Sequence, residues 1–164
     1  MITRPVPVVR LAGDADVPDC IDLWTAAVAA RDGVAEQPAV RDRAAAKFAE
    51  PRVAVVVLRD AAGTLDGFAL VTAPGTGRSD DPADAAYLSL LAVRPDLQAH
   101  GVGRALLTAA VDAARDAGHD GVVLHVLEDN ARAVRLYESA GFRPTGVAFP
   151  HAISGVLTRT YATR

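Results

Sequence analysis

The sequence predicts an α/β fold: a mixed, mostly antiparallel central sheet of about seven strands with helices on both faces. Three observations lead there. Short apolar or β-branched runs alternate with stretches of helical periodicity, in the order β-α-α-β-β-β-α-β-α-β-β. The early strands are joined by turn residues, as at Asp60-Ala-Ala-Gly-Thr64, and should pair antiparallel. The fourth and fifth strands are joined by a helix and should be parallel, with a right-handed crossover.

Val6 to Leu11 reads as the first strand. Asp14 or Asp16 can cap a helix from about Val17 to Ala30, with an apolar face at Val17, Cys20, Ile21, Trp24, Ala27 and Val28. After the polar break at 31–38, Val40 to Ala49 makes a shorter helix that Pro51 ends. Val53 to Leu58 is β-branched and reads as a buried strand, and Gly67 to Thr72 returns as the third. A Gly- and Pro-containing loop covers Pro74 to Asp84, and Ala85 to Val93 is the fourth strand. The next helix closes at Gly118, and Gly121 to Leu127 is the fifth strand. Asn130 to Ala140 is helical up to Gly141, and Phe142 to Val147 and Val156 to Tyr161 are the last two strands.

A chain of 164 residues, 51% hydrophobic, fits one domain with a sizeable core. No apolar run approaches a membrane span, and the start, Met1-Ile-Thr-Arg-Pro5, lacks a secretory apolar region. The single cysteine, Cys20, excludes an intrachain disulfide and reads as a core residue, so the cytoplasm is the expected compartment. A net charge of −3 leaves no electrostatic footprint for nucleic acid. Basic residues are almost all arginine; Lys47 is the sole lysine, and no function attaches to that bias.

The most informative stretch is Val93-Arg-Pro-Asp-Leu-Gln-Ala-His-Gly-Val-Gly-Arg-Ala-Leu-Leu107. Pro95 ends an apolar run, and Gln98, Gly101 and Gly103 stand where a helix should begin. Val102, Ala105, Leu106, Ala109, Ala113 and Ala117 then recur at helical spacing. Unpaired backbone N–H groups and the macrodipole draw anions to a helix start, and glycines let a phosphate come close. A P-loop would need Lys and Ser or Thr after its last glycine, where Arg104 and Ala105 stand. A dinucleotide fingerprint would need Gly or Ala where Leu106 stands.

What fits is Gln-x-x-Gly-x-Gly, which resembles the coenzyme A pyrophosphate loop of the GNAT (GCN5-related N-acetyltransferase) superfamily. A second stretch, Leu124-His-Val-Leu-Glu-Asp-Asn130-Ala-Arg-Ala133-Val-Arg-Leu136-Tyr137-Glu-Ser-Ala-Gly141-Phe142, extends the resemblance. In the family a strand ends, an Asn opens a helix, and an Ala follows three residues later. A Leu-Tyr pair comes next, and Gly-Phe ends the helix. The resemblance is strong over residues 84–149 and rests on element order before that.

It implies the GNAT fold, with strands four and five splaying after a parallel start, and one N-acetyltransferase domain over residues 1–164. It implies acetyl-CoA as co-substrate, no metal, and transfer of an acetyl group to a primary amine by direct attack through a tetrahedral intermediate. Leu91, Ala92 and Val93 would pair with the pantetheine arm; Gln98, Ala99, His100, Gly101, Val102, Gly103 and Arg104 would cradle the pyrophosphate. Asn130, also a natural N-cap, and the small Ala133 would flank the arm. Tyr137, which otherwise reads as a core tyrosine, would protonate the departing thiolate.

Many family members carry a Glu on strand four, six residues before its final Val, and here Tyr87 stands there. Asp84, Ser89 with a water, His125 and His151 are substitutes as base, and a water chain is another. Tyr87, Ser89 and His125 are expected on the acceptor side. Asp80, Asp81 and Asp84 either attract a cationic amine or form a solvated loop. The expected acceptor is a small-molecule amine, with neither nucleic acid nor membrane as partner; a homodimer, the acyl group and the identity of the amine stay open. The alternatives are an acetyltransferase for protein N-termini or lysines, and a non-catalytic acyl-CoA sensor.

Overall fold

A computed structural model describes residues 8–98 and 100–163. Val6 of the expected first strand and Ala99 of the expected cradle lie outside these residues. Among the described residues the chain forms one seven-stranded sheet and four α-helices. The strands are β1 (Arg10–Leu11), β2 (Arg52–Arg59), β3 (Leu65–Thr72), β4 (Ala86–Val93), β5 (Val122–Leu127), β6 (Arg143–Pro150) and β7 (Leu157–Thr163). The helices are α1 (Val17–Asp32), α2 (Pro38–Phe48), α3 (Val102–Asp116) and α4 (Ala131–Ser139). The order across the sheet is β1-β2-β3-β4-β5-β7-β6; β4 and β5 are parallel and every other neighbour pair is antiparallel.

Element order and strand directions agree with the sequence, and boundaries move by a few residues. α1 runs on to Asp32, two residues further than expected, because Gly33, at φ 67°, supplies the left-handed C-cap. α2 starts at Pro38, a residue whose fixed φ and missing N–H suit a first helical turn. The β6–β7 hairpin is longer on its first arm, reaching Pro150.

The face of the sheet bearing α3 and α4 buries Val56, Leu58, Ala69, Val71, Leu88, Leu106, Leu107, Ala110, Leu124 and Phe142. The face bearing α1 and α2 buries Cys20, Phe48, Val55, Val57, Phe68, Leu70 and Leu90. Cys20 is therefore the core residue its helical position suggests.

Two irregularities in β4 position the cleft. Leu70 pairs with Leu90 but the next residue, Val71, pairs with Leu88, so Ser89 is an extra residue, a β-bulge. The bulge shifts the alternation of side chains. Ala86, Leu88, Leu91 and Val93 pack toward α3, whereas Tyr87, Leu90 and Ala92 face the α1–α2 side. In addition β4 and β5 share only the pairs Ala86–Val122 and Tyr87–Val123. Beyond these they part, as the family resemblance implies.

α3 lies close on the sheet because Gly67 of β3 leaves room for it. A Cβ at Gly67 would meet Leu106 Cδ1 at 2.6 Å and the Ala92 carbonyl oxygen at 2.9 Å. Gly67→Ala is expected to destabilise the protein by about 1–3 kcal/mol, since backbone and helix must both shift. Urea denaturation of the variant checks this; an unchanged midpoint would mean that α3 is not seated as described.

Candidate active site

The parting of β4 from β5 opens a cleft of about 960 Å³ that reaches both faces of the sheet. One half lies at the C-terminal end of β4, between α3 and α4. Leu91, Ala92, Val93, Gln98, Gly101, Gly103, Arg104, Asn130, Ala133 and Tyr137 all line it. Gly101 sits at φ 81°, a left-handed conformation that a glycine adopts without strain, and is the N-cap of α3. No described side chain caps this helix, and its ladder begins with the Ala105 N–H bonded to the Gly101 carbonyl. The N–H groups of the first turn therefore lack helical acceptors and bring positive potential to the cleft.

Several expected cradle residues take distinct parts. Gln98 accepts a 2.9 Å hydrogen bond from Arg132, and Arg104 donates to Ser139 Oγ at 2.7 Å, so both tie the loop and α3 to α4. The Val102 side chain is buried in the core and does not line the cleft; what it offers there is its backbone at the helix start. His100 is exposed and likewise outside the lining. Asn130 caps α4 by accepting from the Ala133 N–H at 3.3 Å.

Tyr137 is 9% exposed, its ring 5.9 Å from that of Phe142. No described residue hydrogen-bonds its hydroxyl. Burial, with a contribution from Tyr87 across the gap, pushes the phenol well above its ordinary pKa. Such a phenol keeps its proton at neutral pH and can only give it to a stronger base formed beside it.

The other half of the cleft is walled by α1, α2, the 73–85 loop, Tyr87, Ser89, His125 and the tip of the β6–β7 hairpin. Lys47 of α2 donates from Nζ to Tyr87 Oη at 3.3 Å and to the Ser89 carbonyl at 3.2 Å. Burial and neighbouring Arg43 lower its pKa to about 8. Burial raises Tyr87 to about 12, which leaves it without basic character at neutral pH.

His125 of β5 lies between Tyr87, at 5.0 Å between ring centres, and Phe149, at 5.4 Å edge-on. Its Nε2 meets both carboxylate oxygens of Asp81, at 2.9 and 3.0 Å. Burial lowers its pKa and outweighs the opposing pull of Asp81. The neutral ring then donates Nε2–H to Asp81 and keeps the Nδ1 lone pair. Asp81 also accepts from the Arg78 N–H at 2.8 Å, and a Cβ at Gly77 would collide with its carboxylate.

Asp81 thus belongs to a clamp on the loop, Asp80 pairs with Arg78 at 3.1 Å, and Asp80, Asp81 and Asp84 are all absent from the cleft lining. The idea that these carboxylates attract a cationic amine is corrected by this arrangement. His151, one of the substitutes weighed as base, is half-buried; its Nδ1 accepts from the N–H groups of Ile153 and Ser154 and so pins the hairpin. Sequence reasoning did not find Lys47 or the Asp81 partnership. A lone lysine in an arginine-rich chain was the available signal for the first; nothing local signals the second.

Among the described residues no group of His, Cys, Asp and Glu is placed to hold a metal ion, and no helix is long and apolar enough to cross a membrane.

The family model for the acetyltransferase (GNAT) family matches residues 19–142. A mycothiol acetyltransferase of Clavibacter sepedonicus is 38% identical over 106 residues, 65% of this chain and 32% of that protein. The chain thus spans about a third of the length of that relative. A GCN5-related N-acetyltransferase from Kribbella flavida superposes with a TM-score of 0.71 at 30% identity, covering 95% of this chain and 96% of that one. The Salmonella typhimurium protein yncA, solved with its cofactor acetyl-CoA, shares the fold at a TM-score of 0.71 and 24% identity, over 97% and 94% of the two chains.

The depressed pKa of His125 links stability to pH. The unfolded imidazole takes a proton near its ordinary value of 6.5 and the folded one takes it lower. The stabilisation is fully present above that ordinary value and is lost as pH falls through the folded one. Wild type is expected to lose more thermal stability than His125→Gln between about pH 7 and pH 5.5. Equal losses in the two melting series would place the dependence elsewhere.

Proposed function

Because the chain belongs to the acetyltransferase (GNAT) family, we propose that it transfers the acetyl group of acetyl-CoA to a primary amine of a small molecule. Residues 1–164 act in this reading as a single N-acetyltransferase domain in the cytoplasm. One observation carries it: Tyr137, whose hydroxyl no described residue bonds, lines a gap between β4 and β5 that joins a helix start without a described side-chain cap to the acceptor half of the cleft.

The residues present fit acetyl-CoA. Leu88–Val93 has no pairing to β5 among the described residues, so its backbone groups on that side, apart from the Ser89 carbonyl held by Lys47, are available to an extended pantetheine arm. The first N–H groups of α3, with Gly101 and Gly103, suit a pyrophosphate. Ala133 keeps the wall opposite β4 low. The bound thioester supplies an activated acyl group for direct attack through a tetrahedral intermediate. The amine reacts in its neutral form. His125, oriented by Asp81 and holding an open Nδ1, supports proton removal directly or through water, and Tyr137 supplies a proton to the leaving thiolate. Tyr87 shapes the chamber.

The small-molecule reading draws on the walls that α1, α2 and the β6–β7 hairpin give the acceptor half, and on the name carried by the mycothiol acetyltransferase relative. An amine panel with acetyl-CoA, read as free thiol, tests it. Absence of thiol release with every amine would favour the sensor reading, and release with peptides alone would favour a protein acetyltransferase.

Tyr137→Phe removes one oxygen and is expected to lower kcat roughly 10²-fold with little change in acetyl-CoA affinity. Unchanged turnover, with chemistry shown to be rate-limiting, would return Tyr137 to the core.

Gly103 separates packing from ligand effects. A Cβ there would stand at ordinary contact distance from Leu136 (3.4 Å) and Val93 (3.6 Å), so Gly103→Ala is expected to fold normally. Gly103→Val pushes a branched side chain into the cleft and is expected to weaken acetyl-CoA binding roughly tenfold or more. Calorimetry on both variants checks this; tight binding by the valine variant would remove the cradle from α3.

A further inference from the structure

The lining of the acceptor half is one-sided in charge. Arg31 from α1, Arg43 and Lys47 from α2 and Arg78 from the 73–85 loop reach it, whereas no Asp or Glu lines any part of the cleft among the described residues. This occurs in a chain of net charge −3. Two of the four cations are already engaged: Arg31 with Asp32 at 2.9 Å, and Arg78 with Asp80 while its guanidinium lies 3.6 Å over the Phe149 ring. Arg43 and Lys47 pair with no carboxylate among the described residues. Arg41, on the same helix but directed outward, does pair, with Asp22 at 2.8 Å.

Arg43 and Lys47 are four residues apart, so they share one face of α2, and like charges at that spacing repel. Lys47 spends two donors on neutral acceptors, Tyr87 Oη and the Ser89 carbonyl, and an ammonium has three. A partly buried pair of like charges without a counterion is a cost that an anionic ligand would offset. The contact with Ser89 also fixes where that anion sits, because Ser89 is the bulge at which the gap opens and the acyl group must arrive. Beside it, Trp24, Val28, Val40 and Ile153 give an apolar wall.

Resting on the acetyltransferase reading, we infer that the acceptor is an amine bearing an oxyanion within a few bonds of the reacting nitrogen, held by Lys47 and Arg43, with an apolar remainder against Trp24 and Val28. An apolar α- or β-amino acid or its aminophosphonate analogue has this chemistry. A polyamine or a lysine within a basic peptide does not, because it brings positive charge to a cationic chamber.

Initial rates with acetyl-CoA are measured for matched sets: leucine and phenylalanine, their amides, their decarboxylated amines and their 1-aminophosphonate analogues. The acids or phosphonates are expected to exceed the amide and amine in kcat/KM by roughly tenfold or more; which of the two anions leads assigns the source. Lys47→Met and Arg43→Met are expected to collapse that ratio chiefly through KM, and Lys47→Arg to restore part of it. Acetyl-CoA binding by each variant verifies the fold. Equal or better turnover of amides, amines or polyamines would overturn the inference and leave the acetyltransferase reading standing. If no amine reacts, binding of N-acetylleucine to the CoA-loaded protein decides. Binding abolished by Lys47→Met would retain the anion site while acetyl transfer falls, and no binding would remove the site as well.

Discussion

β4 and β5 stay paired only at Ala86–Val122 and Tyr87–Val123, and the rest of the site follows from that short contact. A parallel sheet closed along its whole length would keep its two faces apart. Here the strands diverge at the point where Ser89 inserts an extra residue into β4, so the opening forms where the side-chain alternation changes phase. Tyr87 on the α1–α2 side and Tyr137 on the α3–α4 side then influence one another through the gap, although they belong to opposite faces. Among the described residues the β5 side of β4 beyond Tyr87 has no strand partner, and it lines the cleft. In the proposed function it is this free side of β4 that pairs with the pantetheine arm.

The electrostatics of the cleft are set by where carboxylates have been directed. Asp81 could face the acceptor chamber only by leaving His125 and the Arg78 N–H, and Gly77 exists at the crowded point that lets it hold both. Asp80 and Asp32 each neutralise an arginine at the rim. Asp80 and Asp81 on the loop and Asp32 at the end of α1 are thus engaged away from the chamber lining, which carries a surplus of positive side chains. The contact with Asp81 fixes the tautomer of His125, while burial keeps its ring neutral against the pull of that carboxylate.

The sequence was most readable where local chemistry determines structure. The glycines at 101 and 103 mark a helix start without a Cβ in the way, Asn130 marks a cap, and Gly141 at φ 93° marks a helix end. Each of these depends on neighbours a few residues away. The bulge at Ser89 was not readable, because Leu88-Ser-Leu-Leu91 offers no turn residue and the extra residue appears only against β3. Nor did the order beyond β5 announce itself. β7 sits between β5 and β6, an arrangement set by which edge the hairpin docks on, and either arm has the pattern to do so. Lys47 and Asp81 acquire meaning through partners 40 to 44 residues distant, which helical periodicity and loop composition do not encode.

The position of Lys47 has a practical corollary. As the only lysine in the chain, it is the one side-chain amine that an acylating reagent can modify, and it lies inside the cleft. Its pKa near 8 leaves a larger neutral, nucleophilic fraction at mild pH than an exposed lysine has. The protein therefore carries a built-in chemical reporter. The rate at which that single amine is labelled registers whether the chamber is open, filled or closed, without the introduction of a foreign group.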